Sequence, residues 1–153
     1  MREIHRKIVS ALIWSKDWKL LMGKKDPLGG GVYTDCWHIP WGWIDDWESM
    51  IDGLIREIEE EIWLDISNIT TKELPGSGQG SSEKIMKDTW EKLLCHMEFN
   101  RFEIQLDQNH DKIELHLNDD LVEIKRFTKE ELKDVNQVPG GKEFMQEIGY
   151  ISI

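Results

Sequence analysis

Cysteine is scarce in this chain. Cys36 and Cys95 are too few for a disulfide framework. Inert thiols in a reducing cytoplasm are the expectation. Long apolar runs are missing too: nothing approaches the roughly 18–20 residues of a membrane span. The opening MREIHRKIVSALIW is short and mixed in charge, which argues against a signal peptide. Positive charge is in deficit, with 19 Lys and Arg against 30 Asp and Glu and a net charge of −11. That balance excludes an electrostatic grip on a nucleic-acid polymer, which needs clustered Lys and Arg. No P-loop, dinucleotide-binding glycine fingerprint or Ser/His/Asp or Cys/His nucleophile context is found. His96, His110 and His116 have no metal-ligand spacing, and His38 reads as a packed residue. What remains is 39% hydrophobic and 32% charged. This composition fits one soluble domain over 1–153, long enough to bury a core. If such an acidic chain handles phosphates, a divalent cation must offset the repulsion.

Strand signals alternate with helix signals along the chain. KIVSALIWS (7–15) is apolar and β-rich, and KLLMGKK (19–25) is its expected hairpin partner. DPLGGGVYTD (26–35) reads as a loop, and CWHIP (36–40) as a short strand. From about 48 to 62, Ile51, Ile55, Ile58 and Ile62 form one apolar stripe of a helix. The Gly/Ser-rich 71–84 reads as a mobile loop. Residues 91–106 and 121–128 read as strands, Thr128 to Glu131 as a capping box, and 140–150 as a helix ended by Gly149. With no regular βαβ repeat, the fold class is α+β, a mixed sheet carrying helices.

The chemistry concentrates on the first helix. At about 100° per residue, Glu57, Glu60 and Glu61 are expected on one face, turned away from the isoleucines. Like charges so close repel, whereas a hard cation such as Mg²⁺ takes oxygen ligands and shares them with substrate phosphates. Arg56 is four residues before Glu60, in position to steer it.

The spacing Gly42, five residues, Glu48, seven residues, then Arg56-Glu57-Ile58-x-Glu60-Glu61-x-x-Leu64 resembles the Nudix box. Trp63 stands where the family has glycine. The resemblance extends loosely over about 7–150, to MutT-like members of the family. It implies the Nudix fold, an α/β/α sandwich around a mixed sheet. It also implies Mg²⁺- or Mn²⁺-dependent pyrophosphate hydrolysis of a nucleoside triphosphate, oxidised or not. ADP-ribose or nucleotide-sugar cleavage, or nucleotide binding without cleavage, are the alternatives. Glu57, Glu60 and Glu61 would be metal ligands, with Glu57 a ligand or the general base. Arg56 would orient a glutamate, Glu48 and Gly42 would shape the site, and the Trp41 carbonyl would complete the metal shell. Asp120 is the later carboxylate expected to join, with Asp119 and Glu123 as competitors. Lys24 and Lys25 would meet a substrate phosphate. The expected partner is a nucleotide, and the expected assembly a monomer or homodimer.

Eight tryptophans in 153 residues is an unusual number. Trp18, Trp41, Trp43, Trp47, Trp63 and Trp90 stand where the resemblance or the turn context favours glycine. Glycine tolerates positive φ; an indole there would cost about 1–3 kcal/mol. UGA encodes glycine in some bacterial codes and tryptophan in others, so several of these positions are expected to be glycine codons read as tryptophan.

Overall fold

The computed structural model describes residues 1–25, 36–74, 78–86, 88–116, 121–138 and 141–151. Among the described residues, eight strands form one mixed sheet: β1 (Arg2–Trp14), β2 (Leu20–Lys25), β3 (Trp37–His38), β4 (Trp41–Trp43), β5 (Thr71–Glu73), β6 (Gly78–Ile85), β7 (Lys92–Gln105) and β8 (Leu121–Phe127). The main path runs β3-β2-β1-β7-β5, while β4 pairs with β1, β6 with β7 and β8 with β2. Its spine is the parallel pairing of β1 with β7, from Arg2 opposite Leu93 to Trp14 opposite Gln105.

Strand alternation divides β1 and β2 between two apolar layers. Val9, Ala11, Ile13 and Leu21 pack in one core with Leu54, Ile58 and Ile62 of α1 (Met50–Ile62). Leu12, Trp14, Leu20 and Met22 pack in the other with Phe144 and Met145 of α2 (Gly141–Glu147). One helix therefore covers each face, the layered α+β arrangement expected from the sequence.

Several local expectations change. The Gly/Ser-rich stretch contains β5 and the eight-residue β6, both paired antiparallel with β7. Pairing to a long strand outweighs composition, and Gly80 lets the Phe99 ring approach closely: a Cβ there would lie 3.3 Å from it. WGW at 41–43 is a strand, held to β1 through Gly42 opposite Val9. The Thr128/Glu131 box forms reciprocally, Thr128 N–H donating to Glu131 Oε1 at 2.9 Å and Glu131 N–H to Thr128 Oγ1 at 3.3 Å. It opens only a 3₁₀ turn, Glu131–Asp134. Residues 26–35, read as a loop, lie outside the described residues.

Candidate active site

The helix α1 begins at Ser49, whose hydroxyl accepts from the Asp52 N–H at 3.1 Å. Its buried stripe is Leu54, Ile58 and Ile62, with Gly53 and Glu61 beside it. Ile51 is exposed and Ile55 only half-buried, so the apolar face is rotated from the expected run of isoleucines. A β-carbon on Gly53 would lie 2.1 Å from Ile44 Cγ2, so glycine sets how closely α1 approaches the chain leaving β4.

This rotation changes the setting of the carboxylates. Glu61 is buried against the sheet at 8% exposure. The Glu57 side chain is 19% exposed and the Glu60 side chain 53%. The three do not share a solvent face: they run from the buried side of the helix to its rim. Glu57 lies over Gly42, where a β-carbon would fall 2.1 Å from Glu57 Cδ and 2.2 Å from Oε2. That approach is possible only for glycine, and it places Trp41 and Gly42 of β4 directly against α1.

Arg56 is the hub. Its Nε and Nη2 donate to the two oxygens of Glu48 at 2.8 and 2.7 Å, a bidentate pair. Nη2 also donates to the Trp43 carbonyl at 3.1 Å. Nη1 donates to Glu57 Oε1 at 3.0 Å and to Glu60 Oε2 at 3.3 Å. Every one of the guanidinium's N–H donors has an acceptor. Hydrogen bonds from Arg56, and from the Asp45 N–H at 2.9 Å, pull the Glu48 carboxyl down to about 2. Glu48 in turn raises the pKa of Arg56 further above its usual value. The ensemble fixes three carboxylates, those of Glu48, Glu57 and Glu60, around one guanidinium.

Among the described residues, no three His, Cys, Asp or Glu side chains converge on a point that could hold a metal ion. Glu57 and Glu60 each direct one oxygen at Arg56. The donor set nevertheless suits a hard divalent cation: the carboxylates of Glu57, Glu60 and Glu61 within one stretch of five residues, beside main-chain carbonyls of β4.

The other candidates separate from this centre. Lys24 follows Leu20 and Met22 on the α2 side of the sheet, with its Nζ 5.7 Å from the Trp37 ring. The side chain of Lys25 and the whole of Asp119 and Asp120 lie outside the described residues. Glu123 pairs with Lys125 at 3.5 Å. His38 is buried, its Nδ1 3.0 Å from the Ile39 carbonyl.

Sequence reasoning missed a cleft of about 970 Å³ beside the start of α1, bordered by Glu48 and by His5, Arg6, Lys7 and His96. His5 and His96 stack with centroids 4.9 Å apart. His96 bridges Ser81 Oγ and Glu3 Oε1, each at 2.9 Å. Arg6 reaches over the Trp43 ring at 5.8 Å, tying the cleft to β4. Only the register of β1 with β7, which sets His5 opposite His96, assembles this wall.

A match to the NUDIX domain family spans residues 4–148. The chain belongs to the Nudix family. Membership carries the general chemistry, hydrolysis of a phosphoanhydride. No curated protein matches the sequence. Among solved structures, Escherichia coli dihydroneopterin triphosphate pyrophosphohydrolase is similar at TM-score 0.70 and 12% identity, over 92% of each chain. The MutT protein of Methanosarcina mazei Go1 is similar at TM-score 0.62 and 18% identity, over 97% of this chain and 99% of that one. The NUDIX domain of Shewanella oneidensis NrtR, solved with ADP ribose, is similar at TM-score 0.65 and 10% identity, over 95% and 86%. These likenesses establish the Nudix fold.

Proposed function

We propose that the protein is a Mg²⁺- or Mn²⁺-dependent cytoplasmic pyrophosphohydrolase acting on a nucleoside triphosphate or a related nucleoside diphosphate derivative. The observation that carries this reading is the Arg56 hub, which ties Glu48, Glu57 and Glu60 to the carbonyl end of β4. An acidic helix face with no task would not need one guanidinium to organise three carboxylates.

Glu57, Glu60 and Glu61 would hold the cation, with the Trp41 carbonyl as a main-chain ligand. Asp120 is the candidate for a later carboxylate. When bound, a divalent ion supplies polarisation of the phosphoanhydride and acidifies a water. Gly42 admits the Glu57 carboxylate to this position, and Glu57 is the first candidate to take the proton of the attacking water. Arg56 and Glu48 are positioning residues, since their contacts run to protein groups. Arg6 and Lys7 supply positive charge at the cleft of an otherwise acidic chain, suited to substrate phosphates, and the stacked His5 and His96 offer an aromatic wall to a base. Lys24, on the other face, is given no part.

A second reading is a module that binds a nucleotide such as ADP-ribose without cleaving it. The indoles of Trp41 and Trp43, which flank Gly42, favour it. A phosphate-release screen over nucleotides with Mg²⁺ or Mn²⁺, repeated with Glu60→Gln, separates the two. Release that falls at least about 100-fold in the variant supports the enzyme. Undiminished release removes the metal assignment. Binding by calorimetry without release from any nucleotide favours the module.

A further inference from the structure

Among the described residues, three that are not glycine adopt positive φ: Trp18 at 61°, Trp63 at 61° and Trp90 at 58°. All three are tryptophan. Residues that enter this region without being glycine are usually Asn, Asp or His, whose small polar side chains tolerate it. A bulky indole has no such compensation.

Each position demands the left-handed conformation for its own reason. Trp18 closes the β1–β2 hairpin. Its N–H donates to the Ser15 carbonyl at 3.0 Å, while the Ser15 N–H donates to the Lys19 carbonyl at 2.9 Å. This is a three-residue loop whose last member must be left-handed, the place of glycine in a bulged turn. Trp63 ends α1, donating its N–H to the Glu59 carbonyl at 2.9 Å, where helices commonly take glycine. Trp90 closes the β6–β7 hairpin, its N–H donating to the Met86 carbonyl at 2.7 Å and the Met86 N–H to the Glu91 carbonyl at 2.9 Å. A hairpin turn, a helix end and a second hairpin turn have no sequence in common beyond the tryptophan.

The indoles are also little used. Trp18, Trp63 and Trp90 are 54%, 62% and 79% exposed. Trp18 meets the Trp14 ring and lies 6.0 Å from Lys129 Nζ, and Trp63 meets the His116 ring. By contrast, Trp14 is fully buried and donates from Nε1 to Glu103 Oε2 at 3.2 Å. Trp37 meets the Phe127 ring edge-on at 5.3 Å. Neither has positive φ. These five tryptophans therefore fall into two groups, one packed and one standing on glycine backbone.

We propose that Trp18, Trp63 and Trp90 occupy positions built for glycine, and that the native host inserts glycine at them, reading their codon otherwise than as tryptophan. Trp41, Trp43 and Trp47 lack positive φ, so the backbone strain expected at them is not found and the proposal does not extend to them. It is independent of the enzymatic reading. One consequence touches the site: Trp63 borders a groove of about 620 Å³ with Arg56 and Glu60, which glycine would widen.

Two measurements test it. Peptide mass spectrometry of the protein from its own cells should find glycine at 18, 63 and 90; tryptophan there overturns the recoding. In protein made with tryptophan, Trp18→Gly, Trp63→Gly and Trp90→Gly are compared with alanine at the same sites. Each glycine variant should melt about 2–4 °C above its alanine counterpart, since alanine removes the indole but keeps the Cβ that opposes positive φ. Equal melting of glycine and alanine variants overturns the backbone argument. Trp14→Gly, at a packed site, should melt well below the parent and serves as the opposite control.

Discussion

Glu57 packs its carboxylate onto the α-carbon of Gly42, so that a β-carbon there would lie 2.1 Å from Glu57 Cδ. The box glycine thus acts as a seat for a carboxylate, quite apart from any turn. Gly42→Ala should push Glu57 off this position. A displacement near 1 Å at a reacting centre costs about 100-fold, and overpacking costs roughly 1–3 kcal/mol. Phosphate release should therefore fall about 100-fold while the variant still folds, as read by steady-state kinetics beside a thermal melt.

Arg56→Lys tests the hub. A lysine ammonium has three donors on a flexible stem and cannot reproduce the fork that meets both Glu48 oxygens. Glu57 and Glu60 would lose their shared orientation. The expected result is a fall in kcat of about 10–100-fold with little change in KM. A change confined to KM would instead put Arg56 on the substrate.

Glu48 gives the protein a pH-dependent stability with a definite sign. Its carboxyl falls from 4.5 to about 2 on folding, chiefly through Arg56. A depressed carboxylate contributes stability that is present above the unfolded pKa and is lost as pH falls through the folded one. The melting temperature of the parent should exceed that of Glu48→Gln by a constant margin above 4.5, shrinking toward pH 2. A margin independent of pH would contradict the assignment.

Glu61 combines burial with crowding. It is 8% exposed and stands four residues after Glu57 on the helix. Burying a carboxylate carries a desolvation cost that even a paired charge must offset, and a like charge at i,i+4 adds to it. Glu61→Gln should hold or raise stability, by up to about 1 kcal/mol, while phosphate release drops by at least about 100-fold. Stability gained against activity lost is the signature of a group kept for function. A variant that loses stability and keeps activity would mark Glu61 as structural.

The box was legible because its information lies in spacing: Gly42, Glu48, Arg56, Glu57, Glu60 and Glu61 stand at fixed distances along the chain. What spacing did not convey was orientation. Leu54, Ile58 and Ile62 recur at intervals of four just as regularly as the isoleucines. Only contact with Val9, Ala11 and Ile13 decides which stripe is buried and carries Glu61 inward. Lys24 could have been assigned to the far face by counting Leu20, Met22, Lys24 along an alternating strand. The β6 strand was hidden by its glycines and serines, whose partner lies across the sheet in β7. The His5/His96 wall has no signal in either local stretch, because it exists only once β1 and β7 are in register.

That same register has a consequence during synthesis. Arg2 meets Leu93 and Trp14 meets Gln105, so β1 leaves the ribosome well before the strand that covers its longest edge. At about 5–20 residues per second the wait is on the order of ten seconds. Throughout it, the apolar run Ile8–Trp14 has β2, the short WGW strand and α1 for company, but its β7 edge stays open. Nascent chains arrested before residue 92 should therefore recruit chaperones, and those arrested well beyond 105 should not.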